Sequence, residues 1–250
     1  MKFTYQSIKE SLPVKKNSNS SWWVKLWVRK ISFLFTYIFM NLGFSPNAVS
    51  IVSIGVALNS CICFMISSPI AIVIAVISIN FWLILDCVDG NIARCRKKKT
   101  IYGEFVDDIG GYYTVAFVYL ALGVCAYNCG GMLVDSGNKW MLVSGGIASI
   151  CDILARLINK DYVNFSKNRV DYVPDDYRTE KKKSLSYIRR RVGKELGISG
   201  VFMPLTILCG IFNSYDLMVG FYLIFNGIAL LSTTVIYIYK ADKYDRKESI

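Results

Sequence analysis

The chain contains no histidine, and its eight cysteines include no pair of CxxC motifs. The first absence excludes a His-based triad, a His-ligated zinc centre and imidazole acid–base chemistry. The second argues against a zinc ribbon. Any general base must therefore be a carboxylate, Lys, Tyr, Cys or a bound water. Acidic residues are also scarce, 18 against 29 Lys plus Arg. Residues 1–21 carry Lys and Ser but no apolar core, so a secretory signal is not expected there. What the chain has in excess is apolar surface. Hydrophobic residues are 54% and aromatics 14% of 250 residues, and the mean hydropathy is +0.39. A soluble domain of that size cannot hide so much, and a membrane is the expected solvent for part of it. Most cysteines lie in apolar runs, where they read as packing residues.

A bilayer crossing needs about 20 apolar residues. Six stretches qualify: 46–67, 70–93, 104–127, 139–160, 197–214 and 216–239. The expected fold is all-α, an integral membrane bundle of six transmembrane helices with an N-terminal interfacial amphipathic helix. The expected division is a cytoplasmic N-terminal segment (1–44), a six-helix catalytic domain (45–240) with a basic loop at 161–195, and a cytoplasmic tail (241–250). Lys and Arg number 7 in residues 1–44, 5 in 94–99, 10 in 161–195 and 4 in 240–250. Arg156 and Lys160 end the fourth stretch on the same side, and only Lys139 falls on the other. Under the positive-inside rule both termini are cytoplasmic, and six is the even count that this requires. This asymmetry accounts for the net charge of +11 better than nucleic-acid binding does, and anionic lipid headgroups are the expected partner.

Residues 22–44 place Trp22, Trp23 and Trp27 beside Lys25, Arg29 and Lys30, followed by an apolar run (31–42) too short to span. That pattern suits a helix lying in the interface. In the loop 161–195, Leu185, Ile188, Val192 and Leu196 recur at helical spacing around Arg189, Arg190 and Arg191, suggesting a second interfacial helix. The run Arg96–Lys99 reads as a topology and headgroup determinant; Lys181–Lys183 and Arg189–Arg191 read the same way, with a weaker claim to acceptor phosphate binding. The connections on the other face offer no chemistry legible in the sequence.

Ionised groups inside a span cost about 2.5–3.5 kcal/mol each on insertion scales, so they point to function. Asp86, Asp89, Glu104, Asp107, Asp108 and Asp152 all fall at the cytoplasmic ends of the second, third and fourth spans. The residues from Ile70 to Leu85 cover roughly 24 Å of a core about 30 Å thick, which puts Asp86 just inside the boundary. On a helix, 86, 89, 90 and 93 share a face, and so do 103, 107 and 111. Small residues at 90, 93, 103 and 111 allow a ligand or helix to approach closely. Like charges about 4 Å apart repel by roughly 4 kcal/mol at an effective dielectric near 20, so Asp86, Asp89 and Asp107 would gather only around a cation. All-oxygen ligands beside a phosphate suit Mg²⁺ or Mn²⁺.

These residues resemble the CDP-alcohol phosphotransferase (CDP-alcohol phosphatidyltransferase) family, whose pattern is D-x-x-D-G-x-x-A-R, eight residues, then G-x-x-x-D-x-x-x-D. Here DCVDGNIAR (86–94) is followed after eight residues by GEFVDDIGG (103–111). Ser45-Pro46-Asn47-Ala48-Val49-Ser50 is similar to the element that opens the family's first span. The resemblance implies transfer of a substituted phosphate from a CDP-linked alcohol donor to an acceptor alcohol with release of CMP. It implies two divalent ions per protomer on Asp86, Asp89 and Asp107, and a nucleotide slot at Gly90, Ala93, Arg94 and Gly103. A homodimer, and a role in phospholipid or other polar lipid or glycan synthesis, are implied with it. Asp152 and Arg156 form an i, i+4 pair that reads either as self-neutralising or as an acceptor contact.

The family pattern ends in a fourth Asp, taken as the general base, where this chain has Gly111. Loss of a positioned base costs about 10²–10⁴ in rate. Four readings are open. Asp108 substitutes, lying about 100° around the helix from Asp107 against about 40° for position 111; Glu104 is at about 60° but some 10 Å from 111 along the axis. Alternatively Asp152 reaches in, or the acceptor or the diphosphate supplies its own base, or a CDP-linked ligand is bound without turnover. A rival from another class is a transporter with an acidic ion site, though such sites lie near the midplane.

Overall fold

The structure is a computed structural model that describes residues 3–13, 17–97, 100–167 and 185–248. Lys98, Lys99, the run Lys181–Lys183 and most of the connection preceding it lie outside the described residues. The elements are α1 (Tyr5–Glu10), a π-helical turn (Val24–Val28) leading into α2 (Arg29–Asn41), α3 (Pro46–Ile66), α4 (Pro69–Cys95), α5 (Ile101–Cys129), α6 (Lys139–Lys167), α7 (Leu185–Leu196), a second π turn (Ile198–Phe202), α8 (Met203–Phe212) and α9 (Tyr215–Glu248). No strand occurs among the described residues.

Six helical stretches are long and apolar enough to cross a membrane: Pro46–Ile66, Pro69–Cys95, Ile101–Cys129, Lys139–Phe165, Arg189–Phe212 and Tyr215–Asp242. The protein is an all-α integral membrane bundle. Its starts are set by side-chain caps. Ser45, Ser68 and Thr100 accept from the backbone N–H groups of Ala48, Ala71 and Gly103, and Pro46 and Pro69 occupy the first turns of α3 and α4, where a missing N–H costs nothing.

In lipid, close packing and polar pairs hold helices together more than apolar burial does. α3 packs on α4 and α5, α5 on α6, and α6 on α9. Ser60 donates to the Ala75 carbonyl at 2.8 Å across α3 and α4, and Asn226 to the Ala148 carbonyl at 3.1 Å across α9 and α6. Gly123 and Gly145 let the α5 and α6 backbones touch: a Cβ at 145 would lie 2.5 Å from the Tyr119 carbonyl. Tyr119, Phe202 and Tyr222 form an edge-packed aromatic centre with ring centroids 5.2–5.6 Å apart.

Two features depart from expectation. The short helix α1 was not anticipated. A reciprocal Thr4–Ser7 cap starts it, and its Ile8 is fully buried in a cluster with Phe33, Val49 and Leu85. The fifth span, expected as an unbroken stretch at 197–214, is interrupted. Gly200 has non-helical torsions (φ −113°, ψ −112°), and any Cβ there would collide with the Glu195 carbonyl. The break is clasped to the N-terminal segment. Ser21 Oγ donates to the Ser199 carbonyl at 2.5 Å, and the Trp22 N–H donates to Glu195 Oε2 at 2.8 Å.

Candidate active site

A cavity of about 480 Å³ opens where the C-terminal end of α4, the first turns of α5 and the start of α3 converge. From α4 it is lined by Asp89, Gly90, Ala93 and Arg94, and from α5 by Gly103, Glu104 and Asp107. The three helices contribute because each begins or ends at the same level. The caps at Ser45 and Thr100 start α3 and α5 there, and α4 ends just after Cys95.

Asp89 is only 7% exposed. Its Oδ2 accepts from Ser50 Oγ of α3 at 2.6 Å. A charge-assisted bond of that kind stabilises and orients a buried carboxylate. Asp86, one turn earlier, is half-buried and lies outside the cavity lining; Asp107 is exposed and lines it. Arg94 folds back along α4 so that its Nη1 would be 3.3 Å from a Cβ placed on Gly90. A side chain at 90 would displace it. Gly103 has an equally local reason: a Cβ there would come within 3.1 Å of both Asn47 Oδ1 and Thr100 Oγ1, which themselves line the cavity.

The remaining candidates are placed elsewhere. Asp108 turns toward α6, where Lys160 Nζ meets its Oδ2 at 3.0 Å, and that ammonium sits 5.2 Å from the Tyr112 ring centre. Asp152 is engaged by Arg156 Nε at 2.9 Å and by the Tyr119 hydroxyl at 3.4 Å. Asp108, Asp152 and Arg156 thus lie along the α5–α6 seam, outside the cavity lining. A Cβ on Gly111 would meet nothing within 4 Å. Among the described residues no group of three or more His, Cys, Asp or Glu side chains is gathered closely enough to hold a metal ion. The expected Asp86–Asp89–Asp107 trio is therefore not assembled as a ready cage.

A sequence model of the family described as CDP-alcohol phosphatidyltransferase matches residues 44–183, more than half of the chain. The protein belongs to the CDP-alcohol phosphatidyltransferase family. The match begins just before the cap of α3 and takes in every residue lining the cavity. Membership makes the chain a membrane transferase of the CDP-alcohol class. No curated protein matches the chain at a significant level.

Several cavity residues of this family member were missed by reading the sequence. Ser50 and Asn47 sit in the Ser45–Ser50 element, but nothing local ties them to Asp89 or Gly103, 39 residues away in the first case. Arg96 and Lys97 read as topology determinants, yet both line the cavity, and Arg96 Nη2 also donates to the Phe44 carbonyl at 2.8 Å.

Proposed function

We propose that this protein transfers a substituted phosphate from a CDP-linked alcohol to an acceptor alcohol at the cytoplasmic leaflet, releasing CMP. The observation that carries the reading is the convergence of Asp89, Gly90, Ala93, Arg94, Gly103 and Asp107 on one cavity. The acceptor oxygen forms a bond to the phosphorus that bears the donor alcohol. The bond from that phosphorus to the CMP oxygen breaks, and CMP leaves with the electron pair.

The chain's own groups divide the work. Gly90, Ala93 and Gly103 leave space for the nucleotide. Arg94, with Arg96 and Lys97, sets positive charge against a diphosphate. Asp89, Asp107, Glu104 and Asn47 present an all-oxygen donor set, which fits Mg²⁺ or Mn²⁺ in chemical kind. Such an ion, when bound, polarises phosphoryl oxygens and neutralises the diphosphate. Ser50 holds Asp89 in place for that role. The acceptor proton needs a base. Asp108 is held by Lys160 outside the cavity, whereas Glu104 lines it, so Glu104 is the carboxylate we assign. Two ions per protomer with Asp86 completing the ligand set, a homodimer, and phospholipid headgroup synthesis complete the proposal. An acceptor role for Asp152 and Arg156 draws no support from their position on the α5–α6 seam. A second reading, nucleotide binding without turnover, draws on Gly111 alone.

The test is CMP release from a panel of CDP-linked alcohols in lipid nanodiscs, with Mn²⁺, Mg²⁺ or chelator. Asp107→Asn should lower release by about 10²–10³-fold, the scale of losing one group that stabilises transition-state charge. Asp108→Asn should leave it within about threefold, as expected of an exposed pair. Normal turnover in Asp107→Asn would falsify the site assignment. CDP binding without release from any donor would establish the second reading.

A further inference from the structure

Asn91 occupies a position that the family pattern leaves unspecified, between Gly90 and Ala93. Its side chain is fully buried and both ends of its amide are engaged. The amide nitrogen donates to Ser32 Oγ at 3.3 Å and to Thr36 Oγ1 at 3.0 Å, both on α2. The amide oxygen accepts from Arg94 Nη2 at 2.5 Å.

The direction of this chain is fixed. Ser32 Oγ donates its proton to the Arg29 carbonyl at 2.9 Å, and Thr36 Oγ1 donates to the Ser32 carbonyl at 2.6 Å. Each hydroxyl has one proton, so toward Asn91 both can only accept. The NH₂ must therefore face α2 and the carbonyl must face Arg94. Ser32, Thr36 and Asn91 are all fully buried, where breaking a satisfied network leaves a costly unpaired group. At the other end, Arg94 lines the cavity, and its Nε is buried with no hydrogen-bond partner among the described residues.

We propose that Asn91 is a positioning residue: anchored by Ser32 and Thr36 of α2, it aims the Arg94 guanidinium at the donor's diphosphate and so couples the N-terminal helix to nucleotide binding. This rests on the reading of Arg94 as a phosphate contact. Asn91 touches no substrate itself. Its amide supplies the neutral acceptor that holds Arg94 while leaving the guanidinium charge uncancelled, which a carboxylate at 91 would not.

The experiment uses the full chain in detergent with CDP as the probe. The CDP Kd is measured by equilibrium dialysis with Mn²⁺, cytidine is titrated as a competitor, and unfolding temperature is followed in parallel. Arg94→Gln should weaken CDP by about tenfold or more, the scale of a lost charged hydrogen bond. Asn91→Leu and Thr36→Val, close in shape to the originals, should weaken CDP by about three- to tenfold at full binding stoichiometry. Cytidine competition should be unchanged, because it carries no phosphate. Thr36→Ser keeps the hydroxyl and should restore the parent Kd. If Asn91→Leu does not fold, the Thr36→Val and Thr36→Ser pair decides alone. Parent-like CDP binding in Thr36→Val, or equal loss of CDP and cytidine, overturns the proposal while leaving the function reading intact. Parent-like CDP binding in Arg94→Gln overturns the underlying reading of Arg94.

Discussion

Gly111 is where this chain departs from the family's motif, and its surroundings say what the departure costs. A Cβ there has open space within 4 Å, so no packing demand explains the glycine. A mid-helix Gly also costs about 0.5–1 kcal/mol relative to Ala. Gly111→Asp should therefore fold with an unchanged or higher unfolding temperature. Its carboxylate would stand one turn beyond Asp107 on the same face, and the Mn²⁺ concentration for half-maximal CMP release should fall by about tenfold. An unaltered Mn²⁺ requirement in a folded variant would show that position 111 points away from the ion. At this scale the sequence was legible where spacing mattered: Asp89, Gly90, Ala93, Gly103 and Asp107 were named from their helical faces and Arg94 from the family resemblance, and all of them line one cavity. It was illegible where a partner came from another helix. Helical geometry ranked Asp108 above Glu104 as a stand-in for the missing base, because nothing at 108 announced Lys160, 52 residues on.

Among the elements, the α5–α6 contact sets where the Asp107 and Asp108 faces of α5 point. Gly145 lies against the Tyr119 carbonyl, and a Cβ on Gly123 would be 2.6 Å from the Met141 carbonyl, whereas a Cβ on the neighbouring Gly146 would meet nothing within 4 Å. Gly145→Ala forces two backbones apart and should destabilise by about 1–3 kcal/mol. Gly146→Ala should be neutral or slightly stabilising. Thermal unfolding of the two variants side by side checks this, and equal behaviour would mean that the crossing is looser than described. The six spans were legible because apolar runs of sufficient length have few alternatives. The interruption in the fifth was not, since Gly197 and Gly200 look like ordinary small residues until the Gly193 carbonyl is seen against the first and the Glu195 carbonyl against the second. The α2 network was equally hidden: Asn91 meets its hydroxyl partners 55 and 59 residues away.

For the whole molecule, charge gathers at the end that bears the cavity, and the opposite end is held by other means. There Asp216, only 4% exposed, accepts from the Leu133 N–H at 2.7 Å and from the Met132 N–H at 3.2 Å, pinning the connection after α5 to the start of α9. That carboxylate was not expected to have a role. From the charge asymmetry we propose that both termini and the cavity face the cytoplasm. A membrane-impermeant maleimide should therefore label Ser136→Cys in intact cells and Asn19→Cys only after permeabilisation. The reverse pattern would invert the orientation and move the chemistry to the other leaflet.

The clasp between Ser21, Trp22 and the broken fifth span joins residues up to 178 positions apart. On a ribosome adding about 5–20 residues per second, the first half of that clasp waits roughly 10–40 s for its second half to emerge. Throughout that interval the early helices exist without their fastening, which makes the nascent chain a client for insertion factors until its last third arrives.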